Sequence, residues 1–141
     1  MNWSDYINKN IGKPWVNRSI GPDSFDCYGL LIHSFYSVDD IEIPEPTGYK
    51  LGEPIELCGN NNKSKWVPTN INEASAFACY NKSGEMVHVG RVTPYGLLHA
   101  FGSGGHGSVA LHKPNQIERI LSVTINEYSH LEFYRFDDAI N

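Results

Sequence analysis

The chain has few cysteines, and none of them are close together in the sequence. Its three cysteines, Cys27, Cys58 and Cys79, form no CxxC pair, which argues against a disulfide framework or a cysteine zinc site. No apolar run approaches the roughly 20 residues that span a membrane. The N-terminus, "MNWSDYINKNIGK", lacks the apolar segment of a signal peptide. These absences predict a protein made in a reducing cytoplasm, with no membrane span.

Positive charge is also scarce. The 141 residues include 11 Lys and Arg against 16 Asp and Glu, which gives a net charge of −5. The basic residues are scattered, so a nucleic-acid partner held by phosphate contacts is not expected. A hydrophobic content of 40% in a chain of this length predicts one folded domain over residues 1–141.

The order of the predicted elements is helices first and strands afterwards. Residues 3–11 predict a short helix with Ser4 as its N-cap, and residues 23–36 predict a second helix capped by Ser24, Phe25 or Asp26. Residues 47–72 are polar and rich in asparagine, which indicates a surface insertion with at most a short helix. Strands are predicted at 74–80, 86–92, 96–102 and 130–136, and a short helix at 114–121. This layout predicts an α+β fold with an antiparallel meander.

The second helix, "DSFDCYGLLIHSFY", carries Cys27 in its first turn. Unpaired N–H groups and the positive end of the helix dipole favour a thiolate there, so a lowered pKa and a nucleophilic role are expected. Gly29 lies in the same turn and weakens the helix, which indicates that another backbone or a substrate approaches closely. The alternative is that Cys27 is a small, buried apolar residue.

A cysteine nucleophile needs a base, and the base needs an orienting group. His88 and His99 fall in successive predicted strands joined by "TPYG", so pairing of these strands would bring the two side chains together. One could then act as base while the other fixes its tautomer. Two alternatives stay open: each histidine stands alone in a half-buried strand, or His88, His99 and His106 bind zinc.

The remaining candidates have weaker signals. The segment "GSGGHGSV" contains His106 and is interpreted as a flexible loop at the edge of the site, since no Gly-Lys-Ser/Thr follows as in a phosphate-binding loop. Trp66 is expected to fold the polar insertion back onto the domain. Packing, surface or bystander positions are expected for His33, His112, His130, Cys58 and Cys79.

The stretches "GKPW…DSFDCYGLL…EIPEP" and "HVGRV…GLLHAFGSGGHGSV" together resemble the NlpC-type cell-wall cysteine peptidases, over roughly residues 11–110. These are papain-like amidases that cut peptidoglycan stem peptides. The resemblance implies a papain-like α+β fold with the nucleophile at a helix start, packed on an antiparallel sheet. It matches Cys27 to the nucleophile, His88 to the base and His99 to the orienting residue. The candidate substrate-binding residues are Trp15, Asp26, Tyr28 and His106.

The function implied by the resemblance is a peptidoglycan endopeptidase without metal or organic cofactor. Tyr28 after the cysteine resembles variants in phage tail modules, and no secretion signal or wall-binding domain is seen. We therefore expect a tail-associated hydrolase, in the virion or in the host cytoplasm before assembly, that acts on the periplasmic wall and contacts other tail proteins. A structural tail-tip component with the same fold is the alternative, because "EASAFACY" lacks the Gly-Asp pair of the family. A contact-delivered amidase toxin would use the same chemistry.

Overall fold

The computed structural model describes residues 1–43, 66–103 and 106–137, without the side chains of Ser103 and His106. The expectations for Cys58 and for residues 47–65 of the polar insertion lie outside the described residues. Among the described residues, no helix is both long enough and apolar enough to cross a membrane.

Two helices form the N-terminal part of the structure. Helix α1 covers Trp3–Asn10 and helix α2 covers Cys27–Ser34, and α2 continues directly into a π-helical turn, Phe35–Asp39. The predicted N-cap Ser4 is wrong. The residue before α1, Asn2, is extended, and its side-chain oxygen accepts the Asp5 N–H at 2.8 Å. Ser4 is already inside the first turn.

The rest of the described chain forms one antiparallel sheet and a third helix. The order across the sheet is β1-β6-β2-β3-β4-β5. The strands are β1 Trp66–Thr69, β2 Ala76–Asn81, β3 Met86–Thr93, β4 Gly96–Ser103, β5 His106–His112 and β6 Tyr128–Phe136, and helix α3 covers Pro114–Thr124. The predicted α+β class is confirmed. The meander holds from β2 to β5, whereas β6 returns to pair between β1 and β2.

Two strands occupy segments where the sequence predicted none. Strand β5 forms where a glycine-rich loop is predicted. The reason is that Gly107 lets β5 approach the backbone of β4 closely and does not form a turn. Gly107 has φ +127°, and a Cβ there would lie 2.0 Å from the Phe101 carbonyl oxygen of β4. Strand β1 lies at the end of the polar insertion. Its Trp66 packs against Phe35 and Phe136, so the expectation that Trp66 returns the chain to the domain is confirmed.

The sheet buries both of its faces. Leu98 of β4 packs with Tyr6 of α1 and Leu30 of α2, whereas its neighbour Leu97 packs with Ile117 of α3. Adjacent residues of a strand point to opposite faces, so α1 and α2 cover one face and α3 covers the other. Each fully buried leucine stabilises the fold by roughly 1.5–3 kcal/mol.

Candidate active site

The start of helix α2 is fixed by Asp26. Its Oδ1 accepts the Gly29 N–H at 2.6 Å, and its Oδ2 accepts the Arg18 N–H at 2.7 Å. Of the three predicted caps, Asp26 is therefore the one that caps α2. The second bond ties the loop before the helix to the helix start.

Gly29 is needed because that loop crosses the first turn of α2. A Cβ at Gly29 would lie 2.0 Å from the carbonyl oxygen of Ser19. The same Ser19 oxygen accepts the Asp26 N–H at 2.8 Å. The expected close approach at Gly29 is confirmed, and the approaching group is another stretch of backbone.

The Cys27 sulfur is buried and surrounded by backbone donors. Cys27 is 7% exposed. The pKa of its thiol is raised to about 12. Burial is the largest cause and the charge of Asp26 adds to it, whereas hydrogen bonds from the N–H groups of Val89, Tyr28 and Cys27 act in the opposite direction. The expected lowered pKa is wrong for this structure. The helix N-terminus does favour the thiolate, but desolvation outweighs it.

Val89 shows where the sulfur lies in the sheet. The Val92 N–H donates to the Ser75 carbonyl oxygen, on the side of β3 that faces β2. Successive N–H groups of a strand point to opposite sides. The Val89 N–H, three residues before Val92, therefore points away from β2 and toward β4. The described β3–β4 ladder runs from Thr93↔Gly96 only to Arg91↔Leu98. The Cys27 sulfur therefore occupies the gap between β3 and β4 beyond the end of that ladder.

His88 and His99 lie beyond the same end of the ladder. Nε2 of His88 and Nδ1 of His99 are 2.9 Å apart, and both side chains are buried. The predicted pairing of the two strands and the proximity of the two histidines are confirmed. Nδ1 of His88 is the ring nitrogen not engaged with His99.

A third imidazole, that of His112, lies next to His99 and forms a row with His88 and His99. Nε2 of His99 and Nδ1 of His112 are 2.8 Å apart. The sequence interpretation placed His112 among packing or surface residues and missed this bond, because it read the segment before it as a loop. The alternation in "SVALH", with Val109 and Leu111 on one face, was the available signal for a strand that places His112 on the other.

Aromatic rings surround the two inner histidines. The centroid of Phe77 lies 6.2 Å from both rings, and that of Phe101 lies 5.5 Å from His88. Burial lowers the pKa of His88 to about 4. Burial, and then the neighbouring imidazoles, place the pKa of His99 well below its usual range. Both rings are therefore neutral at pH 7.

Two thiols lie near His88. Cys79 is its direct cross-strand partner in β2, on the face covered by α3, and burial raises the pKa of the Cys79 thiol. Cys27 reaches β3 from α2 and lies beside the backbone next to His88. Among the described contacts, no hydrogen bond joins the Cys27 thiol to His88. Such bonds are often loose before a substrate is bound.

The candidate substrate-binding residues differ in accessibility. Asp26 is 2% exposed and Tyr28 is 1% exposed, so a substrate would reach them only if the start of α2 opened. Trp15 is half-buried, and its N–H donates to Gly107 at 3.0 Å, which places it beside β5. The side chain of His106 lies outside the described part. His33 packs on Phe25 and bonds the Tyr6 hydroxyl at 2.7 Å, and His130 is exposed, as expected for both.

Arg91 is another buried polar residue of β3, and no role for it is predicted from the sequence. Its guanidinium donates to the Ser75 carbonyl at 2.9 Å, to Ser34 Oγ at 3.0 Å and to Asp39 Oδ2 at 2.7 Å. It also stacks on the ring of Phe35, 3.5 Å from the centroid. Burial lowers the Arg91 pKa to about 10, so the side chain stays charged and ties β3 to the end of α2.

The zinc alternative conflicts with the bonding of the imidazoles. Nε2 of His88 and both ring nitrogens of His99 already face other imidazoles. Zinc ligation by these residues would break that row. Within residues 1–43, 66–103 and 106–137, no group of three or more potential ligands is arranged to hold a metal ion.

Comparison of the chain with protein-family models finds no matching family, and comparison with curated proteins finds no similar protein.

Proposed function

We propose that the protein is a cysteine peptidase or amidase of the papain-like NlpC type, with Cys27 as nucleophile, His88 as base and His99 as orienting residue. The observation that carries the proposal is the combination of three features beyond the end of the β3–β4 ladder, where the Cys27 sulfur contacts the Val89 N–H, one residue along β3 from His88. These are a thiol at a helix start, backbone N–H groups around its sulfur, and a base whose Nε2 is bonded to a second imidazole. A nucleophile, oxyanion donors and an oriented base are what acyl transfer requires.

The mechanism starts from a neutral thiol and a neutral imidazole. Nδ1 of His88 takes the thiol proton as the Cys27 sulfur bonds to the amide carbonyl carbon, and the carbonyl electron pair moves to oxygen. The backbone N–H groups of Cys27 and Val89, which contact the sulfur in the resting state, stabilise that oxyanion. The protonated His88 then gives its proton to the leaving amine as the C–N bond breaks.

Water completes the reaction. His88 takes a proton from the water that attacks the thioester, and the C–S bond breaks to release the acid. The thiol recovers its proton from His88. The buried pair favours the neutral forms, so we expect the thiolate to form only as the substrate enters and not as a stable ion pair.

The proposed substrate class is the peptidoglycan stem peptide, at the bond between D-glutamate and the following diamino acid. It rests on the resemblance of "FDCYGLL", "HVGRV" and "GLLHAFG" to the family motifs. The proposed setting is a phage tail that crosses the bacterial wall.

A second candidate function is a structural tail-tip component with the same fold. Two observations favour it: Cys27 is almost fully buried, and its thiol has no hydrogen bond to His88 among the described contacts. A closed, inactive site would look the same, so the two candidates are separated by an activity measurement.

The test uses the parent protein, Cys27→Ala and, as a matched control, Cys79→Ala. Each is incubated with purified peptidoglycan, and released fragments are identified by mass spectrometry. We expect cleavage by the parent and by Cys79→Ala but not by Cys27→Ala, and the fragment masses identify the bond. Absence of cleavage by a folded parent contradicts the enzyme and supports the structural component. Loss in Cys79→Ala alone moves the nucleophile to β2.

A further inference from the structure

Three imidazoles form a row across three strands. His88 lies in β3, His99 in β4 and His112 in β5, and the two gaps are 2.9 and 2.8 Å. His99 is fully buried and His88 nearly so, whereas His112 is half-buried at the outer end. The proposed base therefore depends on a residue two strands away.

Counting protons limits the row to two arrangements. A neutral imidazole has one N–H, and each gap needs one hydrogen. In the outward arrangement all three rings carry hydrogen on Nε2, and each donates toward His112. In the inward arrangement all three carry hydrogen on Nδ1, and each donates toward His88.

Only the outward arrangement suits the proposed reaction. It leaves a lone pair on Nδ1 of His88, where the Cys27 proton must arrive. The inward arrangement puts a hydrogen on that nitrogen and blocks the transfer. The choice of tautomer thus decides whether His88 can act as a base.

The surroundings favour the outward arrangement as long as His112 is present. The inward arrangement would leave the N–H of His88 Nδ1 without an acceptor among the described contacts, on a side chain that is only 4% exposed. The outward arrangement satisfies His88 with His99 and His99 with His112, and it leaves the last N–H at the half-exposed end of the row. Without His112, the outward arrangement would bury an unpaired N–H on His99.

We propose that His112 is a positioning residue: by accepting the Nε2–H of His99, it holds the tautomers of His99 and His88 that leave Nδ1 of His88 free to take the Cys27 proton. The proposal rests on the proposed function for its catalytic meaning. The tautomers themselves are measurable without any substrate.

The first measurement is ¹⁵N NMR of the histidine rings at pH 7 in the parent, His112→Asn and His112→Leu. Asparagine places an oxygen near the former Nδ1 and keeps an acceptor, whereas leucine fills the space without one. We expect Nε2–H tautomers at His88 and His99 in the parent and in His112→Asn, and Nδ1–H tautomers in His112→Leu. Single-histidine variants assign the signals.

The second measurement is the rate of alkylation of Cys27 by iodoacetamide, followed by mass spectrometry of the Cys27 peptide. We expect the rate to fall at least about tenfold in His112→Leu, since a misplaced base proton removes general-base assistance. His112→Asn should recover most of that loss. His130→Leu is the matched control, because His130 is exposed and bonds only Ser129 and Glu132 in the described structure, and its rate should equal that of the parent.

Several results would overturn the proposal. One is an Nδ1–H tautomer of His99 in the parent, which needs no variant and therefore decides the question even if His112→Leu does not fold. Others are parent-like tautomers and alkylation in His112→Leu, or a His112→Asn variant that behaves as His112→Leu. Failure of the parent to cleave peptidoglycan, with the expected tautomers and alkylation rates, would reject the proposed function and leave this inference standing.

Discussion

Among the buried polar side chains of strand β3, His88 and Arg91 lie three residues apart, and their hydrogen bonding differs. Arg91 donates to three acceptors on three segments and stacks on an aromatic ring. His88 has one described hydrogen bond, to His99, and keeps a ring nitrogen facing no described acceptor. A buried side chain whose hydrogen-bonding groups all have partners stabilises the fold. A side chain that keeps one nitrogen without a protein partner can use that nitrogen for proton transfer.

The same contrast holds for charge. Arg91 stays protonated because Asp39, and to a smaller extent Tyr6, offset the effect of desolvation on its pKa. His88 has no charged partner among the causes that set its pKa, so burial alone makes it neutral. Strand β3 is anchored at Arg91, whereas the proposed function makes His88 its reactive residue. The following predictions separate these two roles.

The largest expected effect is on activity. His88→Gln keeps a polar atom near the former Nε2, so the contact with His99 survives, but it removes the base. We expect peptidoglycan cleavage to fall on the order of 10³-fold, as when a general base is lost. Denaturant unfolding should change by less than about 1 kcal/mol, because the volume and the bond to His99 are kept. A large loss of stability with a proportionate loss of activity would show that His88 is structural.

The next effect is on stability. Arg91→Met keeps the apolar stem against Phe35 but leaves Ser34 Oγ, the Ser75 carbonyl and the Asp39 carboxylate without their partner. We expect the free energy of unfolding in urea to fall by about 3 kcal/mol, as when one partner of a buried ion pair is removed.

The control for Arg91 is Arg135→Met. Arg135 is exposed and lies 3.8 Å from Asp137, so we expect a change within about 0.5 kcal/mol. Equal effects at the two arginines would contradict the anchoring role of Arg91.

The sequence predicted the α+β class and the pairing of the two histidine strands, but not the surroundings of Cys27. Residue type, helix start and strand order are local signals, and they predicted Cys27 at the start of α2 and the contact between His88 and His99. The contact between the two histidines was predicted from one hairpin turn, "TPYG", and that hairpin forms. The lowered pKa of Cys27 was wrong, because burial depends on how α2 packs against β3 and no local pattern reports that.

The missed features all depend on contacts between distant segments. The sequence predicts a loop where β5 forms, since Gly107 indicates flexibility unless the Phe101 carbonyl is known to lie against it. The bond of His112 was missed with it. Arg91 is two residues from Val89, so the sequence indicates that both side chains lie on the same face of β3. The hydrogen-bond partners of Arg91 could not be predicted, because two lie more than 50 positions away and the third lies in the irregular segment before β2.

The smallest predicted effect concerns the pH dependence of stability and completes the contrast within β3. The pKa of His88 is about 4 in the folded state against an ordinary value of 6.5. The unfolded chain therefore binds more protons between these values, and stability falls as the pH falls from 6.5 toward 4. We expect His88 to contribute about 2 kcal/mol to this loss by pH 4.5.

Urea unfolding of the parent and of His88→Gln, measured from pH 7 to pH 4.5, reports this contribution together with the effect of His88 on the pKa of His99. The parent should lose stability more steeply, with the difference vanishing above pH 6.5. In the same window Arg91 stays protonated, so the slope of Arg91→Met should match that of the parent despite its lower stability. Parallel curves for the parent and His88→Gln would mean that His88 is already charged or hydrated in the folded protein. That result would contradict the mechanism, which requires a neutral, desolvated His88 in the folded protein.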